Sequence, residues 1–320
     1  MKKRLLCLTL ALLSILPLCA WSVEPQETEP AAEPIAAATE PAQAPTQDIP
    51  TEAAPVEAAG PEETPAEETP APAAPAVPNQ FEIYVNGQAV PEAHSLLENG
   101  ITYVAIDPVT RALFPDAQSA WGGGNTDVEV TGAGFTLSYN AQRPYLICNG
   151  RYLYYTNGVR LHPQDSAFLV PVRVLAKALG AQVGWDGAGV YLTSGAPIES
   201  GETFYNATDL DLLARVVQHE SGNQPLKGKI AVAQVILNRV KAGSRAGFAD
   251  SVSGVIYQKG QFSGATNATA KSEAIIAAKL AMDGADVVPG AYWFNGVGKS
   301  FWASRNKSLL FTIGNHAFYG

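Results

Sequence analysis

The sequence predicts a multidomain chain, in which a β-rich α+β unit is followed by a mainly α, α+β unit behind an unfolded tether. Three observations carry this prediction. Residues 23–79 hold 13 prolines and twelve acids, with no Lys, Arg or aromatic residue, a composition that cannot bury enough apolar surface to fold. From residue 80, short alternating runs stop at Asn-Gly pairs, which is how hairpins read. From Asp209 the apolar spacing changes to that of helices. With 320 residues the chain has room for two domains of roughly 150 residues.

The elements follow in order. Lys2, Lys3 and Arg4 precede an apolar run from Leu5 to Leu16, and Ala20-Trp21-Ser22 ends in small residues. Residues 1–22 therefore read as a secretory signal cut after Ser22. The apolar run is shorter than the ~20 residues of a membrane span, so no stable membrane insertion is expected after cleavage. Cys7 and Cys19 leave with the signal and Cys148 remains, which excludes a disulfide-stapled scaffold. The linker 23–79 is stiffened by proline and extended by like charge, reaching at most roughly 180 Å at ~3.1 Å per residue.

In residues 80–195, Phe81 to Val85 alternates and stops at Asn86-Gly87. Ile101 to Val104 follows Asn99-Gly100, and Tyr145–Cys148 and Tyr152–Tyr155 flank Asn149-Gly150. Each pair marks a hairpin. Val172 to Leu179 reads as a helix stopped by Gly180, and Val190 to Leu192 as a closing strand. Residues 196–208 form a polar connector. The unit 209–320 begins with a helix whose face is Leu210, Leu213, Ala214 and Val217, capped by Thr208 with Asp211 in capping-box spacing. A second helix, Leu226 to Val240, is apolar almost all round and so central. A third is expected from Ser251 to Tyr257, capped by Asp250, and a fourth from Ala270 to Met282. The aromatic-rich remainder from Ala291 to Tyr319 suits a hairpin or irregular sheet.

Charge narrows the function. Residues 80–202 carry 6 basic and 11 acidic residues and 203–320 carry 12 and 7, so the last unit is mildly basic. That suits an anionic polymer, but a nucleic-acid binder would show a denser basic patch, and no nucleic-acid partner is expected. The sequence sets no oligomeric state.

Of the seven acids after residue 203, six have structural readings. Asp209, Asp211 and Asp250 sit at helix starts, Asp283 and Asp286 flank a glycine turn, and Glu273 lies on a Lys-flanked, exposed helix face. Glu220 falls between Leu213 and Val216 on the inward side of its helix, with no Lys or Arg three or four residues away. Burial there raises the pKa of a carboxylic acid, as a general acid requires; the alternative is a helix-end Glu turned to solvent. Aromatic residues crowd the same unit, among them Tyr257, Phe262, Tyr292, Trp293, Phe294, Phe301 and Trp302, and flat rings beside a carboxylic acid suit sugar faces.

Competing chemistries lack parts. His219-Glu220 opens like a zinc-protease HExxH, but position 223 is Asn. Ser304-Arg305-Asn306-Lys307 matches S-x-x-K without a Lys-Thr-Gly partner. His94 and His162 read as isolated, Cys148 has no partner at ligand spacing, and there is no phosphate-binding glycine loop. No metal and no cofactor are expected.

Two resemblances sharpen this reading. Val85-Asn86-Gly87, Phe168-Leu169-Val170-Pro171-Val172-Arg173, Leu179-Gly180-Ala181 and Val183-Gly184-Trp185-Asp186 together resemble the copper amine oxidase N-terminal-like domain. That family implies a stalk or wall-contact module and no copper chemistry. Leu213 to Ser221, Ile230 to Val240, Val255 to Ser263, Ala291 to Asn295 and Ile313 to Tyr319 resemble the SleB-type cell-wall hydrolase family.

This second resemblance implies a lysozyme/lytic-transglycosylase-like fold that cleaves the MurNAc–GlcNAc bond of peptidoglycan. Its single catalytic Glu maps onto Glu220. The family pattern carries a second Glu in the following loop, where this chain has none. The family's spore enzymes carry other partner domains, so a germination role is not carried over.

The expectation is a secreted, cell-wall-associated lytic transglycosylase acting on peptidoglycan glycan strands, with Glu220 as acid and base. Ser221, Gln258, Gln261, Phe262, Tyr292, Asn295 and His316 are expected to line its cleft. A muramidase using water, with Asp250 as a second carboxylate, and a non-catalytic wall-binding protein stay open.

Overall fold

A computed structural model describes residues 80–121, 127–162, 167–262 and 264–320. The expected signal and linker, 1–79, lie outside the described residues. All described residues belong to one unit, Ala71–Gly320.

The β-rich part begins with strands β1 (Glu82–Val85) and β2 (Gln88–Ala89), then β3 (Ser95–Glu98), β4 (Ile101–Ala105) and helix α1 (Ile106–Leu113). Strands β5 (Gln118–Trp121), β6 (Asp127–Gly132), β7 (Phe135–Asn140), β8 (Tyr145–Cys148) and β9 (Arg151–Tyr154) form an antiparallel meander. After β10 (Arg160–Leu161) and β11 (Phe168–Pro171) come α2 (Val172–Leu179), β12 (Gln182–Trp185) and β13 (Gly189–Thr193).

The three Asn-Gly turns are the hairpins expected. Asn86, Asn99 and Asn149 and the glycines after them all have positive φ, the backbone that twists with its strands. What local signals did not show is the closure. The β1 strand runs parallel to β13, giving the order β12-β13-β1-β2, while β10-β11-β4-β3 forms a second sheet. The core these sheets share with the meander and α2 holds Leu137, Tyr139, Leu146, Leu175, Leu179 and Leu192, all buried. Cys148 lies in it, its thiol pushed up to about 12 by burial, so it is an inert core side chain. His94 and His162 are not isolated: their rings stack with centroids 3.8 Å apart. No group of three metal-ligating side chains exists among the described residues.

Helices α3 (Gly201–Phe204), α4 (Ala207–Ser221), α5 (Leu226–Ala242), α6 (Val252–Tyr257) and α7 (Ser272–Met282) build the second part. Strand β14 (Trp293–Gly296), helix α8 (Trp302–Asn306), and strands β15 (Leu309–Ile313) and β16 (His316–Tyr319) complete it. The expected polar connector thus already contains a helical turn and the start of α4. The cap of α4 is Asn206, whose side chain accepts the Asp209 N–H at 3.0 Å, rather than Thr208, which lies inside the helix. Ser251, not Asp250, caps α6 by accepting from Gly254 N; it sits one residue nearer the first free N–H groups.

Helix α5 is central as its composition requires, with Ile230 to Ile236 buried without a break against α4 and α7. The aromatic tail is a three-stranded antiparallel sheet with β16 between β14 and β15. No helix among the described residues is long and apolar enough to cross a membrane.

Asp283, expected to flank a glycine turn, is buried where the two parts meet. Its carboxylate accepts from Arg151 Nε at 2.8 Å and Nη2 at 2.5 Å, from the Tyr205 hydroxyl, and from the Tyr152 N–H at 3.2 Å. Both charged side chains are at most 5% exposed. The Arg151 guanidinium also lies over the Phe204 ring at 3.2 Å. Tyr145 of β8 is buried in the helical core, with Ile147, Tyr152 and Tyr154 packed against it. The two parts therefore share apolar packing and a saturated ion pair.

Candidate functional site

A cleft of about 490 Å³ opens at the end of α4. Glu220 lines it from the last turn of that helix, Arg239 from α5, and Gly260, Gln261 and Phe262 from the loop after α6. Trp293 to Gly296 enter from β14, Phe301 and Trp302 from the start of α8, and His316 from β16.

The walls are fastened to one another. Gln224, buried after α4, accepts the Asn315 N–H at 2.9 Å through Oε1. That bond holds the β15–β16 turn, and so His316, beside the helix end that carries Glu220. A side chain at Gly314 would meet Gln224 Oε1 at 2.3 Å, and its φ is +56°, so only glycine fits this approach. Arg239 is buried among the rings of Phe248 and Phe262. Its Nε donates to Tyr292 O and its Nη1 to Gln261 Oε1, both at 2.7 Å. It thereby ties α5 to β14 and to the loop beneath the cleft. Burial lowers its pKa to about 10, which leaves it charged at neutral pH.

Glu220 makes no hydrogen bond or ion pair among the described residues. Burial raises its pKa, opposed in part by neighbouring His219. A half-buried carboxyl with no protein partner is available to a substrate proton. Among the described residues lining the cleft it is the sole carboxylate. His316 is shifted the other way, its pKa lowered by burial, so it is a neutral imidazole at pH 7. Its Nδ1 is buried without a partner among the described residues and its ring stands edge-on to Phe294. A neutral imidazole with a free nitrogen can exchange hydrogen bonds with sugar hydroxyls.

Of the residues expected in the cleft, Glu220, Gln261, Phe262, Asn295 and His316 are brought together. Three are not. Ser221 is fully buried and its hydroxyl donates to Val217 O at 2.7 Å, the habit of a helical serine bonding back one turn. Gln258 turns away and donates to Gly247 O at 3.0 Å. Tyr292 stacks on Phe248 and offers the site its carbonyl, through Arg239. Ser304 of the S-x-x-K run caps α8 by bonding the Phe301 backbone in both directions. Its Lys307 lies over the rings of Trp293 and Trp302, at 4.8 and 5.7 Å.

Arg239 was missed because it ends a run read only for its apolar face. The signal available was an arginine on a helix that is apolar almost all round, where a buried charge must find partners inside.

Comparison with known proteins agrees with both resemblances. The model of the cell wall hydrolase family matches residues 223–319, beginning three residues after Glu220. That of the copper amine oxidase N-terminal domain matches 84–193. The spore cortex-lytic enzyme of Bacillus cereus is 34% identical over 122 residues, covering 36% of this chain and 45% of that enzyme. The spore cortex-lytic enzyme of Halalkalibacterium halodurans is 34% identical over 120 residues, covering 36% of this chain and 35% of that enzyme. The chain thus spans less than half the length of these relatives.

Among solved structures, the catalytic domain of the Bacillus cereus SleB protein is similar at 31% identity and a TM-score of 0.34, covering 36% of this chain and 92% of that one. The catalytic domain of the germination-specific lytic transglycosylase SleB from Bacillus anthracis is similar at 30% and 0.34, covering 38% and 100%. In sequence, the chain carries in order a segment similar to the copper amine oxidase N-terminal domain and a segment similar to the cell wall hydrolase domain.

Proposed function

We propose that the protein is a secreted, cell-wall-associated enzyme that cleaves the MurNAc–GlcNAc bond of peptidoglycan, with Glu220 as its acid and base. The match to the cell wall hydrolase model and the likeness to spore cortex-lytic enzymes support the substrate. The observation that carries the mechanism is the solitary, partnerless Glu220 with its raised pKa in an aromatic cleft.

Ordinary glycosidases use two carboxyl groups facing the bond from about 5 to 9.5 Å apart. Here one carboxyl lines the cleft, and Asp250, the second candidate, sits before α6 and outside the lining. A lytic transglycosylase needs only one. Glu220 donates its proton to the glycosidic oxygen as the C1–O bond breaks. As carboxylate it then takes the proton of the MurNAc 6-hydroxyl, whose oxygen bonds C1 and closes a 1,6-anhydro ring. The substrate's own N-acetyl group can support the positive charge at C1 between the two steps. Trp293, Trp302 and Phe294 offer ring faces to the sugars, and His316 and Asn295 offer hydrogen bonds.

Clearing of a peptidoglycan suspension tests the assignment. Glu220→Gln keeps the shape and removes the proton, and should slow clearing by about 10²–10⁴-fold, the usual worth of a general acid, with unchanged circular dichroism. A variant that clears at the wild-type rate would remove Glu220 from the chemistry.

A further inference from the structure

We propose that the β-rich part binds peptidoglycan through a groove of its own, which takes the carboxylate-bearing muramyl unit of a glycan strand. The proposal rests on peptidoglycan as the enzyme's substrate and adds a second, non-catalytic site for it.

The groove has a volume of about 550 Å³, larger than the cleft at Glu220. Its floor is apolar, formed by Leu97, Val172 and Val183, and no carboxylate is among the described residues lining it. Two of its lining side chains, Trp185 and Arg173, are exposed. Trp185 stands on the edge strand β12 and is 49% exposed. Phe81 meets it edge-on at 4.5 Å and so fixes its plane while leaving surface open. Arg173 is exposed and makes no hydrogen bond or ion pair among the described residues, whereas Arg143, Arg151 and Arg160 of the same part are all paired. Thr102 and Thr156 add free hydroxyls at the rim.

An exposed indole, two hydroxyls and an unpaired guanidinium over an apolar floor form a site for an amphipathic anion. A pyranose of peptidoglycan offers an apolar face for the indole. Its lactyl or stem-peptide carboxylate offers the guanidinium the two-pronged partner it lacks. Trp185 and Arg173 also both lie in the run through which this domain resembles its family, and neither is buried. An apolar protein segment could fill the floor but would leave Arg173 unanswered.

A polymer held at this groove and at the cleft is bound twice by one compact body, and the second contact is made at high effective concentration. The groove should therefore matter for insoluble wall and not for short fragments.

The test uses the full chain. In a Glu220→Gln background, co-sedimentation with purified sacculi is compared with and without Trp185→Ala and Arg173→Ala. The paired change should weaken binding at least ~10-fold, within the range that a second linked contact contributes. Arg173→Ala alone should narrow the preference for sacculi over chitin, a GlcNAc polymer without the carboxylate, to what the cleft alone supplies, and Trp185→Phe should retain binding. With Glu220 intact, the paired change should slow clearing of sacculi while leaving turnover of short soluble muropeptide oligomers unchanged.

Equal sedimentation of parent and paired variant would overturn the proposal. So would binding that an apolar peptide displaces and a muropeptide does not, which would assign the groove to a protein partner. If Glu220→Gln clears normally but the sedimentation difference stands, the catalytic assignment fails and the groove survives.

Discussion

At the scale of the residue, the site turns on one titration. Burial raises the folded-state pKa of Glu220, so the folded protein holds that proton more tightly than the unfolded chain does. The sign follows from linkage. The contribution to stability is fully present below the unfolded Glu value and is lost as pH rises through the raised folded value. Raising the pH above the unfolded Glu value therefore takes stability from the fold. Glu220→Gln, which cannot ionise, should melt higher than wild type at pH 7, with the gain vanishing as pH falls below 4; thermal melts at both values check this.

His316 is shifted downward by the same cause, and its neutral ring faces the cleft. His316→Ala should reduce clearing by about tenfold, as loss of a hydrogen bond to a charge-developing sugar costs about 1.5 kcal/mol. His316→Asn, which keeps a donor and an acceptor, should restore part of the rate.

Glu220 was legible because helical spacing alone puts it on the inward face with no compensating cation nearby. Ser221 was misread because adjacency to Glu220 says nothing about direction: one residue on, the side chain has turned about 100° into the helix packing and bonds its own helix backbone.

At the scale of the element, the structure is most legible where the cause is local. The Asn-Gly hairpins, the α2 helix and its glycine stop all follow from side chains within a few residues. Gly180 shows how demanding such a position is. Its φ is +68°, and a Cβ there would lie 1.6 Å from Ala196 O. Gly180→Ala should destabilise the protein by about 2 kcal/mol or more, from the left-handed backbone and the displacement of that carbonyl, as denaturant unfolding would report.

Elements that depend on distant partners were not legible. The parallel pairing of β1 with β13 and the central place of β16 in its sheet join residues far apart in sequence. So does Arg239, whose partners Tyr292 and Gln261 lie 53 and 22 residues away. Arg239→Lys keeps the charge but has no fork to reach both oxygens. It should cost about 1.5–3 kcal/mol and loosen the cleft floor, lowering clearing activity more than the melting temperature alone explains.

At the scale of the whole molecule, the β-rich and helical parts are joined by shared apolar packing and by the buried pair of Asp283 and Arg151. Asp283→Ala leaves the buried Arg151 guanidinium only the half-exposed Glu199 carboxylate, 3.8 Å away, a change worth about 3 kcal/mol, the lower end for a broken buried pair. The tryptophans of both parts, Trp121 and Trp185 in one and Trp293 and Trp302 in the other, should report the same shifted unfolding transition. Two separate transitions would show that the parts fold independently. Nothing in the sequence around Asp283 distinguished it from a turn carboxylate, because its partners come from 132 and 78 residues away. The two-part organisation, by contrast, was plain from the change of period near Asp209.

The central claim is that a single carboxyl cleaves the glycan by internal attack. Mass spectrometry of the soluble products released from purified peptidoglycan by the full chain tests it most directly. The account predicts muropeptides lighter by one water than their hydrated forms, ending in 1,6-anhydro-MurNAc and absent with Glu220→Gln. Hydrated reducing ends throughout, or anhydro ends still released by Glu220→Gln, would contradict it.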